Sequence, residues 1–173
     1  MKTYQDFMLE CSEIEESSLS RIKSKSDKGG LAILSGSRGD KSKKENKARA
    51  KQLDKDIKGK GLPGATKATG RWTEKDDDTG KETKVKERSH IVSSGKKGKR
   101  KFKKAVKALG KKYGQDAVLT QTKKTGTLSA TRKGGMGKGP KNKTTTSVGK
   151  MRPGRSSPDG DTKIKNKTFT YSK

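Results

Sequence analysis

The chain contains a few polar side chains of the kinds that carry out acid–base chemistry. Glu45 and Asn46 open one predicted helix, whereas Glu74, Glu87 and the lone histidine, His90, fall in predicted strands. Carboxylates and an imidazole gathered at sheet ends could transfer protons. Each also has a structural explanation, since Asn46 can bond the backbone, Glu87 can pair with a nearby Lys or Arg, and His90 can be an ordinary sheet residue. No metal or other cofactor is expected, because one histidine and one cysteine lack companion ligands.

A run of lysine and arginine at residues 95–104 favours contact with phosphate groups. Its side chains, together with backbone amides at the start of the helix that follows, could bind phosphate oxygens. The run lacks the spacing of a nucleotide-hydrolase loop, so nucleotide hydrolysis is unsupported. A solvated helix start is the alternative explanation. The residues predicted to contact phosphate are basic residues of this run and of two other regions: Lys96, Lys97, Lys99, Arg100, Lys101, Lys103, Lys104, Lys43, Lys44, Lys47, Lys133, Lys138, Arg152 and Arg155.

Charge is unevenly distributed along the 173 residues. Lys and Arg total 46 and Asp and Glu total 19, which gives a formal net charge of +27. Residues 1–30 carry a net charge of −1, residues 31–131 one of +18, and residues 132–173 one of +10. A field of this size attracts phosphate or acidic protein surfaces. Because aromatic residues are only 4% of the chain, contact with the phosphate backbone is favoured over reading of bases.

Hydrophobic periodicity predicts an α+β fold with a small mixed or antiparallel sheet and two or three helices. The helices are expected at residues 3–24, at residues 42–58 with a Ser42–Glu45 capping box, and along a stripe that ends at Tyr113 before Gly114. Strands are expected at residues 31–34, 65–74, 83–93, 117–120, 127–131 and 167–171.

Composition divides the chain into three parts. Residues 1–30 are predicted to form an amphipathic helix whose apolar side chains Tyr4, Phe7, Cys11 and Ile14 bind a partner, or alternatively pack on the chain's own core. Residues 31–131 are predicted to form the compact α+β unit. Residues 132–173 read as an extended basic tail rich in Gly, Lys and Thr, ending in one further strand. No apolar run approaches 18 residues, so no membrane span is expected.

Several ordered motifs resemble a family of small domains of unknown function found in bacteria and in tailed phages of marine bacteria. The similarity covers residues 31–131 and the final stretch. It is carried by Leu53 and by segments at residues 37–40, 45–49, 70–74, 87–92, 109–119, 152–155 and 167–171. The resemblance implies a compact α+β domain of phage-like origin, and it implies no activity.

Three functions follow as hypotheses. The first is a phage-associated basic protein that binds nucleic acid, DNA in preference to RNA, through sequence-independent phosphate contacts, with the virion or the host cytoplasm as its location. The second is a virion structural or assembly protein that docks on acidic surfaces of capsid, portal or tail subunits. The third, ranked last, is a small enzyme or host-directed effector that uses polar groups around Glu87 and His90. The sequence therefore favours a protein that is not an enzyme.

Overall fold

Eight antiparallel strands form a closed barrel within the residues that the structure describes. It is a computed structural model, and it describes residues 19–75, 79–132, 144–157 and 160–172. The strands are β1 (Leu31–Ser35), β2 (Thr66–Lys75), β3 (Glu82–Ser93), β4 (Ala117–Gln121), β5 (Gly126–Ala130), β6 (Thr145–Pro153), β7 (Asp161–Ile164) and β8 (Lys167–Ser172). Their order around the barrel is β1-β3-β2-β7-β8-β6-β5-β4, and pairing of β4 with β1 closes it.

Three helices of the described residues accompany the barrel. Helix α1 covers residues 19–28, helix α2 is Lys43–Gly59 and helix α3 is Lys99–Tyr113. Helix α2 begins at Ser42, whose side chain accepts from the Glu45 amide while the Glu45 carboxylate accepts from the Ser42 amide. Helix α3 ends at Gly114, which adopts the left-handed conformation at φ 71°. Both ends confirm the predicted caps, because these residues satisfy backbone groups that a helix leaves unpaired.

The outer face of β1, β3 and β4 packs against α2 and α3. Alternate residues of the strands point to this face, and the helices bring their apolar stripes to it. The resulting core consists of Ala32, Leu34, Leu53, Ile57, Leu62, Val92, Phe102, Val106, Leu109, Tyr113 and Val118. The predicted stripe of α3 is thereby confirmed.

A second core fills the barrel interior. It takes the intervening residues of the strands and two residues of α1, namely Leu19, Ile22, Leu31, Ala68, Ile91, Ile164 and Phe169. Phe169 of β8 is 1% exposed and meets Tyr171 edge to face at 6.0 Å. The C-terminal strands therefore hold part of the interior core.

The expected fold class was wrong. In place of a small sheet with an extended basic tail, the described residues form a closed barrel in which β6, β7 and β8 are three of the eight strands. The error has a physical cause, because these strands alternate Thr, Ser and Lys with few apolar residues and so resemble a tail in composition. Their backbone groups pair with neighbouring strands regardless of that composition.

The partner-binding residues predicted at the N-terminus, Tyr4, Phe7, Cys11 and Ile14, lie outside the described residues. The division of the chain at residue 31 stays a prediction for the same reason. The described part of α1 buries Leu19 and Ile22 against the barrel interior.

Removal of the helix α2 cap should weaken the fold. We expect Ser42→Ala to lower the free energy of unfolding by about 1 kcal/mol, because one amide loses its acceptor. Urea denaturation measures the change. Lys44→Ala, an exposed substitution in the same helical turn, should change it by less than about 0.5 kcal/mol. Equal losses in the two variants would contradict a role for the cap.

Candidate functional site

Side chains from β2 and β3 converge over Gly70 on the interior face of the barrel. The register pairs Gly70 with Glu87 and Trp72 with Val85. A Cβ atom placed at Gly70 would lie 2.9 Å from Ser89 Oγ, 3.4 Å from Trp72 Cζ3 and 3.7 Å from Glu87 Cγ. Only a glycine lets these three side chains approach so closely. We call Gly70, Trp72, Glu87 and Ser89 the Gly70 cluster.

The Gly70 cluster combines a buried base with two side chains that solvent can reach. Ser89 is 3% exposed, whereas Trp72 and Glu87 are half-buried. Thr162 of β7 is the other strand neighbour of Gly70 and is also buried. The cluster therefore presents an indole and a carboxylate side by side at the edge of an apolar interior, a combination that attracts organic cations.

A groove lies on the opposite, outward face of the same strands. We call it the outer groove; it has a volume of about 620 Å³ and lies between α2 and the strands β2, β3 and β7. Eight cationic side chains line it, and they are Lys47, Lys51, Lys67, Arg71, Lys86, Arg88, Lys163 and Lys165. The groove therefore has a strongly positive field, which favours anions.

His90 lies at the floor of the outer groove, with its side chain 3% exposed. Its Nε2 atom is 3.3 Å from Oδ1 of Asp54 on α2. Burial lowers the pKa of His90, and the charges of Lys67 and Arg88 lower it further against the opposing effect of Asp54. The neutral ring is therefore favoured, and its Nδ1 atom has no hydrogen-bond partner among the described residues.

The lowered pKa of His90 makes stability depend on pH. Between the folded pKa and the unfolded value of 6.5, the unfolded chain binds more protons than the folded chain. We expect the free energy of unfolding to fall as pH is lowered from 7.5 to 5.5, and to fall less in His90→Gln. Urea denaturation at both pH values measures the two slopes. Identical slopes would show that His90 does not titrate in this way.

Arg71 and Asp161 form a paired site at one end of the outer groove. Arg71 Nε lies 2.7 Å from Oδ1 of Asp161, and Nη2 lies 2.8 Å from Oδ2. The Asp161 side chain is 6% exposed, and the bond raises the pKa of Arg71. This bidentate contact links β7 to β2. It neutralises the charge of Arg71 but not the charges of the other seven cations of the groove.

The structure assigns structural roles to several polar residues that the sequence singled out. Glu45 caps α2, and the Asn46 side chain accepts from the Arg38 amide and donates to the carbonyls of Arg38 and Lys41. The backbone-bonding explanation for Asn46 is confirmed. His90 lies in β3, as the sheet explanation predicted. Glu87 belongs to the Gly70 cluster, and nothing is described of the Glu74 side chain.

The predicted phosphate contacts are scattered over the described residues. One group lies before and along the first turns of α3: Lys96, Lys97, Lys99, Arg100, Lys101, Lys103 and Lys104. A second group, Lys43, Lys44 and Lys47, lies on α2, whereas Arg152 lies in β6 and Arg155 follows that strand. Of these, Lys47 lines the outer groove. Lys133 and Lys138 lie outside the described residues. Sequence reasoning did not name the other seven cations of the groove as site residues. Five of them, Lys67, Arg71, Lys86, Arg88 and Lys163, occupy outward positions of strands, and that alternation is the signal that could have identified them.

No metal site or membrane span is found within the described residues. They contain no group of three or more His, Cys, Asp and Glu side chains that could hold a metal ion. None of the helices in the described ranges has the length and apolar character needed to cross a bilayer.

Comparisons with known proteins add three findings. The model of the S-adenosylmethionine lyase family matches residues 32–173. A solved structure described as a phage SAM lyase in complex with S-methyl-5′-thioadenosine is similar at 17% identity, with a TM-score of 0.39, 69% of this chain covered and 86% of that chain covered. No curated protein matches.

The family match corrects several conclusions drawn from the sequence. The resemblance to a domain family of unknown function was wrong, as were the nucleic-acid-binding and virion-structural hypotheses and the expectation that the chain is not an enzyme. Net charge misled because it determines solubility and long-range attraction and does not identify a function. The matched residues include nearly every described element from β1 to β8, and so this chain belongs to the S-adenosylmethionine lyase family.

Proposed function

We propose that this chain is an S-adenosylmethionine lyase and that its substrate binds at the Gly70 cluster. The observation that carries the activity is the family match over residues 32–173. The proposed substrate is a small molecule with a sulfonium, an ammonium and a carboxylate group. It replaces nucleic acid and virion proteins as the expected partner.

The reaction balances without water, oxidant or metal. One oxygen of the substrate carboxylate forms a bond to the methionine γ-carbon, and the bond from that carbon to sulfur breaks. The electron pair of the broken bond goes to sulfur, which becomes a neutral thioether. The products are S-methyl-5′-thioadenosine and a five-membered lactone that keeps the ammonium group. No proton moves, so this step needs no general base.

The apolar interior beside the Gly70 cluster supports this step. As the new bond forms, the positive charge on sulfur and the negative charge on the carboxylate both disappear. A site that excludes water raises the free energy of the substrate, which has two full charges, more than that of the transition state, in which both charges are partly neutralised. Buried Ile91 and Phe169 supply that environment on the interior side.

Glu87 and Trp72 are the residues that we propose to bind the substrate. A carboxylate aimed at the sulfonium would stabilise the substrate more than the transition state, because sulfur loses its charge during the step. The ammonium group keeps its charge throughout, so we place it at Glu87, where the contact lowers KM. The Trp72 indole offers a face on which the adenine ring can stack.

The cytoplasm is the proposed location of this activity. The single cysteine, Cys11, cannot form an intrachain disulfide, which is compatible with a reducing compartment.

Product analysis tests the activity. The purified chain is incubated with S-adenosylmethionine, and the mixture is followed by liquid chromatography and mass spectrometry. We expect equal amounts of S-methyl-5′-thioadenosine and lactone to appear as the substrate disappears. In water enriched in heavy oxygen, the first-formed lactone should carry no label. Unchanged substrate in the presence of folded protein would overturn the proposed activity, and labelled lactone would overturn the proposed route.

A further inference from the structure

We propose that the outer groove binds an oligophosphate anion, such as the triphosphate of a nucleotide. The charged side chains of this site lie on the face of β2 and β3 opposite to the Gly70 cluster, because side chains of neighbouring residues point to opposite faces of the sheet. Ser89 of the cluster also borders the groove. The groove's volume of about 620 Å³ lies within the range of small-molecule sites.

The strand register places cationic residues on both sides of Thr69, whose side chain carries a hydroxyl group. Thr69 of β2 pairs with Arg88 of β3 on one side and with Lys163 of β7 on the other. Adjacent strands are about 4.8 Å apart, so the backbones that carry these two cations are separated by about 10 Å. Lys67 lies two residues before Thr69 on β2, so its side chain points to the same outward face. The three cations therefore surround a span in which several linked phosphate groups can each meet a positive charge.

Carboxylates do not neutralise this arrangement. Arg71 has Asp161 as its partner, but none of the other seven cations of the groove has a carboxylate within 4.0 Å among the described residues. Asp54 is the acidic residue that lines the groove, and it lies 3.3 Å from His90. Mutual repulsion of these cations disfavours the unliganded state, and a polyanion would relieve it.

His90 gives the floor of the groove a second polar feature. It is 3% exposed and lines the groove, and its Nδ1 has no partner among the described residues. A buried polar atom without a partner costs free energy, and such atoms in native structures call for an explanation such as a bound water or ligand. Because the neutral ring directs its Nε2 hydrogen at Asp54, Nδ1 is an acceptor. It calls for a donor, such as a water held between the ring and the anion, and it does not itself bind a phosphate oxygen.

The occupant we infer is distinct from the substrate of the proposed lyase. S-adenosylmethionine carries one negative and two positive groups, so a groove lined by eight cations repels it overall. An oligophosphate has several negative oxygens and matches the charge of the groove. The inference is therefore independent of the proposed function.

Calorimetric titration with inorganic tripolyphosphate at physiological salt tests the inference. We expect saturable one-to-one binding that weakens at least about tenfold in the variant Lys67→Gln/Arg88→Gln/Lys163→Gln, which loses three charge-assisted contacts. The matched control is Lys101→Gln/Lys104→Gln/Lys123→Gln, which removes the same charge at exposed positions outside the groove. It should change the affinity less than about threefold.

Each alternative outcome is decisive. Absence of saturable binding, equal weakening in the control, or binding of duplex DNA without tripolyphosphate binding would overturn the inference. If the triple variant fails to fold by circular dichroism, the single exposed substitution Lys163→Gln carries the comparison with Lys123→Gln. Because the titration contains no S-adenosylmethionine, its result is separate from that of the cleavage assay.

Discussion

Glu87→Gln should raise KM for S-adenosylmethionine about 100-fold and change kcat little. The substitution keeps the shape of the side chain and removes the negative charge that we place against the substrate ammonium group. A hydrogen bond to a charged group contributes about 1.5–3 kcal/mol, and the upper part of that range corresponds to about two orders of magnitude in binding. Because the ammonium charge persists in the transition state, the loss falls on KM. Steady-state kinetics of substrate cleavage measures both constants.

The control for this substitution is Glu82→Gln on the same strand. Glu82 is exposed and pairs with Lys75 at the far end of β3, and the control makes the same change in charge. We expect its KM to stay within about twofold of the original value, since long-range surface charges are screened by salt. A wild-type KM in Glu87→Gln, or an equal rise in both variants, would show that substrate does not bind at the Gly70 cluster.

Phe169→Ala should lower the free energy of unfolding of the whole chain by about 3–5 kcal/mol. Phe169 is 1% exposed and packs in the interior core with Ile91 of β3 and Ile164 of β7. Truncation of a buried phenylalanine loses its transfer free energy and leaves a cavity. Urea denaturation followed by the fluorescence of the single tryptophan, Trp72, measures the change on strand β2.

The same experiment distinguishes a closed barrel from a sheet with a tail. In a tail, Phe169 would lie outside the cooperative unit and its truncation would leave the unfolding of β2 unchanged. Lys163→Ala, an exposed substitution on neighbouring β7, is the control and should change the free energy of unfolding by less than about 0.5 kcal/mol. A negligible effect of Phe169→Ala would contradict the barrel.

Local features of the sequence predicted most individual elements well. The Ser42–Glu45 capping box, the stripe through Phe102 and Tyr113, and the left-handed Gly114 were all predicted and are all present. The strands predicted at residues 117–120 and 127–131 are present as β4 and β5, which pair with each other. These features depend on residues close together in the chain, so a single sequence contains the information that specifies them.

Closure of the barrel depends on contacts between distant parts of the chain. Strand β1 pairs with both β3 and β4, and β2 pairs with β7. Strand β7 contains only four residues, and β6 alternates small polar side chains with few apolar ones. Such strands have no strong periodic signal of their own, because backbone hydrogen bonds to neighbours stabilise them more than side-chain pattern does.

The sequence by itself determined the caps, the helical stripes and the strong positive charge of this protein. Only the tertiary structure placed Trp72 beside Glu87 on one face of the β2–β3 pair and His90 beside Asp54 on the other. The physical reason is that strand register decides which residues of two segments become neighbours and which face they share. Register is fixed by the packing of the whole barrel, so sequence reasoning named Glu87 and His90 as candidates but did not place them at two separate sites.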